Sequence, residues 1–322
     1  MKAQACARPS AGGRPLGRLS VFEVCRQVWA QGVTVMSYST VWRRLHEDLL
    51  RPWFQRVWIF PRDPLFLQKA TPVLDLYQGR WQGEPLLPGD RVLCGDEMPG
   101  IQALRRIHAP LPAGPHRKAR HEFEYERLGT LCYHAFLDVF TGKAYGQIHA
   151  STGIEPFQAS LKATLAQPEF AEAERIFVVL DNGSSHHPRT SPARLQALDP
   201  RLVAVHLPAH ASWLNQLEIF FSILVRKGIG PPDFDSLDQL RDRIYRFTSH
   251  YNQEARPFNW TYTPEKLKAY LTRLAEKSCA YADQLEALGL HVDGTPRVAH
   301  LSENGPASLG APAGLTLAQA RT

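Results

Sequence analysis

Three short segments place acidic side chains where they could hold hard cations: Val92-Leu93-Cys94-Gly95-Asp96-Glu97, Phe177-Val178-Val179-Leu180-Asp181-Asn182-Gly183 and Ser212-Trp213-Leu214-Asn215-Gln216-Leu217-Glu218. The first two set an acid where an apolar, strand-like run ends. The third sets one on the buried flank of an expected helix. Carboxylates held on separate rigid elements are what a protein needs to grip two divalent cations around a phosphodiester. The pattern points to metal-dependent chemistry on nucleic acid.

Each acid has its own context. Asp181 follows Ile176-Phe177-Val178-Val179-Leu180, a run apolar enough for a strand buried on both faces, and α/β sheets place their chemistry at that C-terminal end. Asp-Asn-Gly is equally suited to capping a turn. On a helix over 213–227, Leu214, Leu217, Phe221, Leu224 and Val225 share one arc and Glu218 lies at its edge. Its neighbours one turn away are Leu214 and Ser222, so its own helix offers no basic partner. A half-buried carboxylate without a partner is costly, and a cation, or a Lys or Arg from elsewhere, would remove the cost. Asp96 is expected to end the first strand as Asp181 ends a later one, with Glu97 on the opposite face. His186, His187, His206 and His210 repeat no zinc-ligand spacing, which favours structural or DNA-contacting roles for them.

The elements that must position these acids follow from periodicity. Strand-like runs occur at 91–95, 131–139, 143–149, 175–180 and 202–207, with a Thr141-Gly142-Lys143 turn between the second and third. Helical segments are expected at 154–167, 191–198, 213–227, 236–251 and 264–277. A three-strand meander followed by alternating helices and strands predicts an α/β domain with a mixed sheet over 91–277. Before it, Val21, Val24, Cys25, Val28 and Trp29 recur at helical spacing up to Gly32. Ser37 or Ser39 then caps a second helix with Val41, Trp42, Leu45 and Leu49 inward and Arg43 and Arg44 outward. This pair, 19–51, suits a helix-turn-helix DNA reader, although many basic helical hairpins only pack. Residues 1–18 read as a flexible basic arm. Residues 52–90, rich in Pro and Trp, read as a linker with one helix near Leu65 to Tyr77, and 278–322 as a largely disordered tail.

Charge agrees with a polyanionic partner. The chain of 322 residues carries a net +6, and residues 1–70 hold eleven basic groups against four acids, leaving 26 against 27 in the remainder. A basic N-terminal quarter fits a part that meets nucleic acid. Arg51, Trp53, Arg56 and Trp58 interleave cations with aromatics, which suits a phosphate backbone or simple packing. Arg117, Lys118, Arg120, His121 and Arg127 lie in the connection between the first two strands. The five cysteines are odd in number and include no Cys-x-x-Cys, as expected of reduced thiols in the cytoplasm. No apolar run reaches a membrane span, and Met1 to Leu16 is no secretory signal.

Asp96-Glu97 with Ile101-Gln102-Ala103-Leu104, Leu180-Asp181-Asn182-Gly183-Ser184-Ser185-His186, His210 to Glu218, and Trp260-Thr261-Tyr262-Thr263 resemble the DDE transposases of the bacterial insertion-sequence 630 family, within the mariner superfamily. The likeness runs from about residue 14 to residue 275, and the 36 residues between Asp181 and Glu218 suit the superfamily's spacing. The resemblance implies a ribonuclease-H-like mixed sheet flanked by helices, preceded by a small all-α region. It carries the catalytic, metal-binding triad onto Asp96, Asp181 and Glu218. It also implies two Mg²⁺ ions, replaceable by Mn²⁺, cleavage and strand transfer at a transposon's terminal inverted repeats, and insertion at TA. The expected assembly is a homodimer on DNA, and the expected location is the cytoplasm, at the nucleoid when DNA is bound. Asn182 and His186 are expected beside the triad, orienting water or phosphate. Arg43, Arg44, Arg51, Arg56, Arg117, Lys118, Arg120 and Arg127 are the expected DNA contacts, the last four in a region that resembles the superfamily's clamp.

Two departures from the resemblance bear on function. Similar transposases carry two helix-turn-helix units, whereas only one fits between Val21 and Leu50, so the chain is expected to be N-terminally truncated. Met98-Pro99 stands where a basic residue would be expected. The alternatives are therefore a non-mobile DNA-binding relic, or a ribonuclease-H-like nuclease with another substrate.

Overall fold

The computed structural model describes residues 1–7, 9, 15–32, 36–54, 61, 63 and 65–277, and the chain divides into two compact units between Phe60 and Pro61. The predicted tail at 278–322 and the basic residue Arg56 lie outside the described residues.

The first unit is helical: α1 (Lys2–Cys6), α2 (Val21–Ala30) and α3 (Tyr38–Glu47). Ser20 starts α2 through a reciprocal capping box, its hydroxyl accepting from the Glu23 N–H while the Glu23 carboxylate accepts from the Ser20 N–H. Ser37, rather than Ser39, caps α3 by accepting from the Thr40 N–H. Val24, Cys25, Val41 and Leu45 are fully buried between the helices. In place of a wholly irregular arm, α1 buries Ala5 in this same cluster, with Met1, Leu16 and Trp53 packed against it. A helix of five residues has too little periodic signal to be read from sequence.

The second unit is built on one sheet. Its strands are β3 (Asp90–Arg105), β4 (Glu126–Asp138), β5 (Ala144–His149), β6 (Arg175–Leu180) and β7 (Leu202–His206), in the order β5-β4-β3-β6-β7. A two-stranded hairpin, β1 (Arg80–Trp81) and β2 (Glu84–Pro85), precedes them. β3, β4 and β5 form an antiparallel meander, and β6 and β7 run parallel to β3. This is the mixed sheet that the sequence predicts, a three-strand meander joined to two parallel strands. The helices α4 (Phe66–Tyr77), α5 (Ile154–Leu165), α6 (Ser191–Leu198), α7 (Leu217–Ile223) and α8 (Leu237–Gln253) flank it, and α9 (Pro264–Lys277) packs on α4.

Strand alternation sorts the sheet's side chains. Leu93, Phe136, Ile176, Val178 and Leu180 pack with Phe157 and Leu161 of α5 in one core. The intervening residues, Cys94, Phe177 and Val179, therefore face the other side, where Tyr77 of α4 meets Cys94 and Trp81 meets Phe177.

Three expectations are corrected. β3 does not end at Asp96; pairing with β6 stops at Cys94, but pairing with β4 continues to Arg105, so the strand persists. Its register shifts between Met98 and Ile101, where Pro99 supplies no N–H and Gly100 has φ +66°. Residues 66–77 do form the expected helix, but α4 buries Phe66, Ala70, Val73, Leu74 and Leu76 within the second unit and is no linker. The long helix expected over 213–227 is three pieces: a 3-10 turn at Ser212–Leu214, α7, and a π-helical turn at Leu224–Ile229.

Candidate functional site

Asp96 and Asp181 meet through strand register. Cys94 and Val179 form the last pair between β3 and β6, and Asp96 and Asp181 each stand two residues further on, on the face those two residues share, close enough for the Asp181 charge to act on Asp96. Gly95 makes this approach feasible, because a Cβ there would stand 2.8 Å from a Phe136 ring carbon and 3.1 Å from Leu180. Asp96 is buried, at 8 % exposure. Burial, followed by the charges of Asp181, Glu218 and Glu97, pushes its pKa up to about 7 against the pull of the Glu97 N–H. The charged groups that dominate this shift are all carboxylates.

Asp181 leaves β6 into the turn Asn182-Gly183 and a 3-10 turn at Ser184–His186. Its Oδ1 accepts from the Gly183 N–H at 2.8 Å and meets Nε2 of the fully buried His186 in a short contact. Burial alone would raise the Asp181 pKa; the His186 hydrogen bond, the Gly183 N–H and the charges of His186 and His206 outweigh it, and the net shift is down. Burial would likewise lower the His186 pKa, but its bond to Asp181 and the charges of Glu97, Asp181 and Asp96 turn the shift upward. Asn182 is used otherwise: its Nδ2 donates to the Leu207 carbonyl at 2.9 Å and ties the turn to the chain after β7.

Glu218 occupies the first turn of α7 and is exposed, not half-buried on a long helix. Burial of part of the carboxylate and the charge of Asp181 still raise its pKa, so the two acids sense each other. Sequence reasoning missed the residue that fastens this element. Asn215, 1 % exposed, accepts from the Leu217 N–H through Oδ1 and donates through Nδ2 to Asp96 Oδ2 and to the Gly95 carbonyl. An Asn bonded to the N–H two residues on is an Asx turn, and it breaks the helix that periodicity alone predicted. Helix α4 and the residue Asp63 ahead of it hold the chain leading to this stretch: Tyr77 Oη donates to the Leu214 carbonyl at 2.9 Å, and Asp63 Oδ2 accepts from the Ala209 N–H at 2.9 Å.

The donor chemistry fits a hard divalent cation. Three carboxylates from β3, the end of β6 and α7 repel one another, and oxygen-rich sets of this kind suit Mg²⁺ rather than zinc. Among the described residues, no three His, Cys, Asp or Glu side chains enclose an ion as they stand. His206 is engaged by Ser191 and by the His186 carbonyl, at 2.9 and 3.1 Å.

The expected DNA contacts are divided between the two units. Arg43 and Arg44 are exposed on α3, the latter paired with Glu47 at 3.1 Å. Arg51 lines a cavity of about 450 Å³ with Tyr38, Trp42, His46 and Trp53. Arg117, Lys118 and Arg120 are exposed on the 106–125 excursion between β3 and β4, which folds on itself through Leu111–Arg120 and Gly114–Arg117 bridges. Arg127, expected in that connection, is instead the second residue of β4, paired with Leu104, because β3 and β4 run longer than their apolar runs, and its guanidinium stands 5.6 Å from the Tyr125 ring centre. Among the described residues, no helix is long and apolar enough to cross a membrane.

Residues 91–241, which contain all three carboxylates, match the family model described as a DDE superfamily endonuclease. No curated protein matches the chain. Among solved structures, the Mos1 mariner paired end complex with Mn is 15% identical, covering 85% of this chain and 78% of that one, with a TM-score of 0.49. The paired end complex with Mg is 14% identical over 81% of this chain and 80% of that one, TM-score 0.45. The HTLV-2 integrase catalytic core domain in complex with magnesium is 12% identical over 52% of this chain and 90% of that one, TM-score 0.32.

Proposed function

We propose that this protein is a DDE transposase of the insertion-sequence 630 type, which cuts DNA and transfers the cut strand to a TA target. The observation that carries the reading is the closeness of Asp96 on β3 to Asp181 just past the end of the parallel strand β6, with Asn215 tying in the segment that presents Glu218. The family match over 91–241 supports the chemistry, and the basic N-terminal quarter supports DNA as the substrate. A homodimer on DNA is part of the same proposal.

Asp96, Asp181 and Glu218 would hold two Mg²⁺ ions, or Mn²⁺ in their place. Bound there, the ions would supply the positive charge that activates an attacking water or DNA 3′-hydroxyl and stabilises the leaving oxygen. The protein's own part is orientation. Asn215 fixes Asp96 by one oxygen, and the Gly183 N–H and His186 fix Asp181 by Oδ1. Glu218, exposed on α7, is the most adaptable of the three acids.

The test is cleavage and strand transfer on DNA carrying the element's terminal repeats, with Mg²⁺ or Mn²⁺ and with EDTA. Asp181→Asn and Glu218→Gln are expected to abolish cleavage while DNA binding persists. Absence of cleavage with either metal would refute the proposal, and a loss of binding equal to the loss of cleavage would mark both residues as structural.

A further inference from the structure

A buried polar chain that the proposed reaction does not use lies on the opposite face of the sheet. Glu97 follows Asp96 on β3, so alternation turns it away from the carboxylates, and its side chain is 10 % exposed. Glu97 Oε1 accepts a hydrogen bond from Ser185 Oγ. Ser185 Oγ stands 3.1 Å from Nδ1 of His186, whose other ring nitrogen meets Asp181 Oδ1. The chain thus starts beside one proposed metal ligand and ends on a second, crossing from β3 to the turn after β6.

Its middle members are held from several sides. The Ser185 carbonyl accepts from Arg194 Nη2 at 2.7 Å, and the His186 carbonyl accepts from Ser191 Oγ at 3.0 Å. The His186 ring tilts against Phe157 with centres 5.1 Å apart. Ser185 is 7 % exposed and His186 is fully buried. A ring packed this closely has one direction left to offer, and it offers Nε2 to Asp181. Both described hydrogen bonds to Asp181 fall on Oδ1, and none falls on Oδ2.

We infer that Glu97 and Ser185 are positioning residues which, through His186, fix the rotation of the Asp181 carboxylate and so decide which of its oxygens is presented to a cation. The inference rests on the metal-binding reading of Asp181. It explains why an acid sits next to Asp96 yet points the other way: one dipeptide of β3 supplies a proposed ligand to one face and an anchor for a second ligand to the other.

The test is Mn²⁺ affinity of the full chain, measured by titration calorimetry without DNA, alongside thermal melting. Outer partners of metal ligands change affinity by about 10–100-fold when removed, and Ser185→Ala is expected to weaken Mn²⁺ binding within that range. Glu97→Gln, which keeps an acceptor for Ser185 but loses the charge-assisted bond, is expected to weaken it less and in the same direction, and the double variant to be no weaker than Ser185→Ala, since both changes act on one chain. Leu161→Ala, a core truncation on α5, is expected to lower the melting temperature and leave Mn²⁺ affinity unchanged, which separates positioning from general loosening. Ser185→Ala and Glu97→Gln both within twofold of the wild type, while Asp181→Asn abolishes binding, would overturn the inference alone. A wild-type chain that binds no Mn²⁺ would overturn the metal reading and the inference with it.

Discussion

Asn215 Nδ2 stands 3.3 Å from Asp96 Oδ2 and 3.1 Å from the Gly95 carbonyl oxygen, so a single amide ties the stretch before α7 to the strand that carries the first carboxylate. Its Oδ1 also starts α7 by accepting from the Leu217 N–H at 3.1 Å. Asn215→Ala should therefore act on both links. A buried hydrogen bond to a charged group is worth about 1.5–3 kcal/mol, and stability to urea should fall by that order. On the proposed metal-binding reading of Asp96, cleavage should fall by about 10–100-fold. A variant that loses stability but cleaves at the wild-type rate would reduce Asn215 to a packing role.

Gly183 has an ordinary φ of −57°, so its backbone tolerates a side chain. The space does not: a Cβ would stand 2.9 Å from His186 Nε2 and 3.0 Å from Asp181 Oδ1. Gly183→Ala should force the Asp181–His186 pair apart. The expected outcome is a loss of cleavage out of proportion to any change in melting temperature. Equal, small effects on both would show that the pair shifts without consequence.

At Gly95 the same substitution should have the opposite balance. Its Cβ would meet Phe136 and Leu180, both fully buried core side chains, rather than the acids themselves. Overpacking of a core costs about 1–3 kcal/mol, so Gly95→Ala should lower the urea midpoint by that measure. Unchanged stability would mean that β3 and β4 can separate locally.

How much of this was legible in the sequence depended on how local each cause is. Asp181 was readable because Ile176 to Leu180 is a continuous apolar run whose end is marked by Asn182-Gly183. The position of Asp96 was readable, but not the length of β3, because its second half is held by β4 across the long 106–125 excursion. The break ahead of Glu218 was hidden because it depends on what one side chain, Asn215, bonds to. Periodicity sees apolar spacing and not hydrogen bonds. Helix α4 was visible as a helix, yet its support of Leu214 through Tyr77 links positions far apart in the chain and left no local signal.

The pair Asp90–Arg175 gives the second unit a testable acid sensitivity. Arg175 Nε and Nη2 donate to the two Asp90 oxygens at 2.8 and 2.7 Å, and the Leu87 N–H adds a third bond. The Arg175 hydrogen bonds hold the Asp90 pKa below the usual carboxylate value, against its burial. The contribution to stability is therefore complete above the unfolded pKa of about 3.9 and is lost as pH falls through the lower folded value. Asp90→Asn should be less stable than the wild type at pH 6, and the gap should narrow steadily below about pH 4. A gap independent of pH would assign the loss to shape rather than charge.

The reverse sign is expected at Asp96, and it measures what the site costs the fold. Burial and three neighbouring carboxylates raise its folded pKa to about 7, whereas the unfolded value is about 3.9. A folded state that binds its proton more tightly is favoured at low pH. Its advantage is lost as pH rises from the unfolded pKa and is gone once the folded pKa is passed. In EDTA at pH 8, Asp96→Asn should therefore melt at a higher temperature than the wild type, because it removes an ionised group held among like charges. Below about pH 4 both forms are neutral there, and the difference should vanish. Functional sites commonly oppose stability in this way. Divalent cation should raise the melting temperature of the wild type and not that of the variant, closing the gap from the other side. A variant that is less stable than the wild type in EDTA at pH 8 would mean that the charge on Asp96 is already compensated within the protein, and that the three acids do not form a site waiting for a cation.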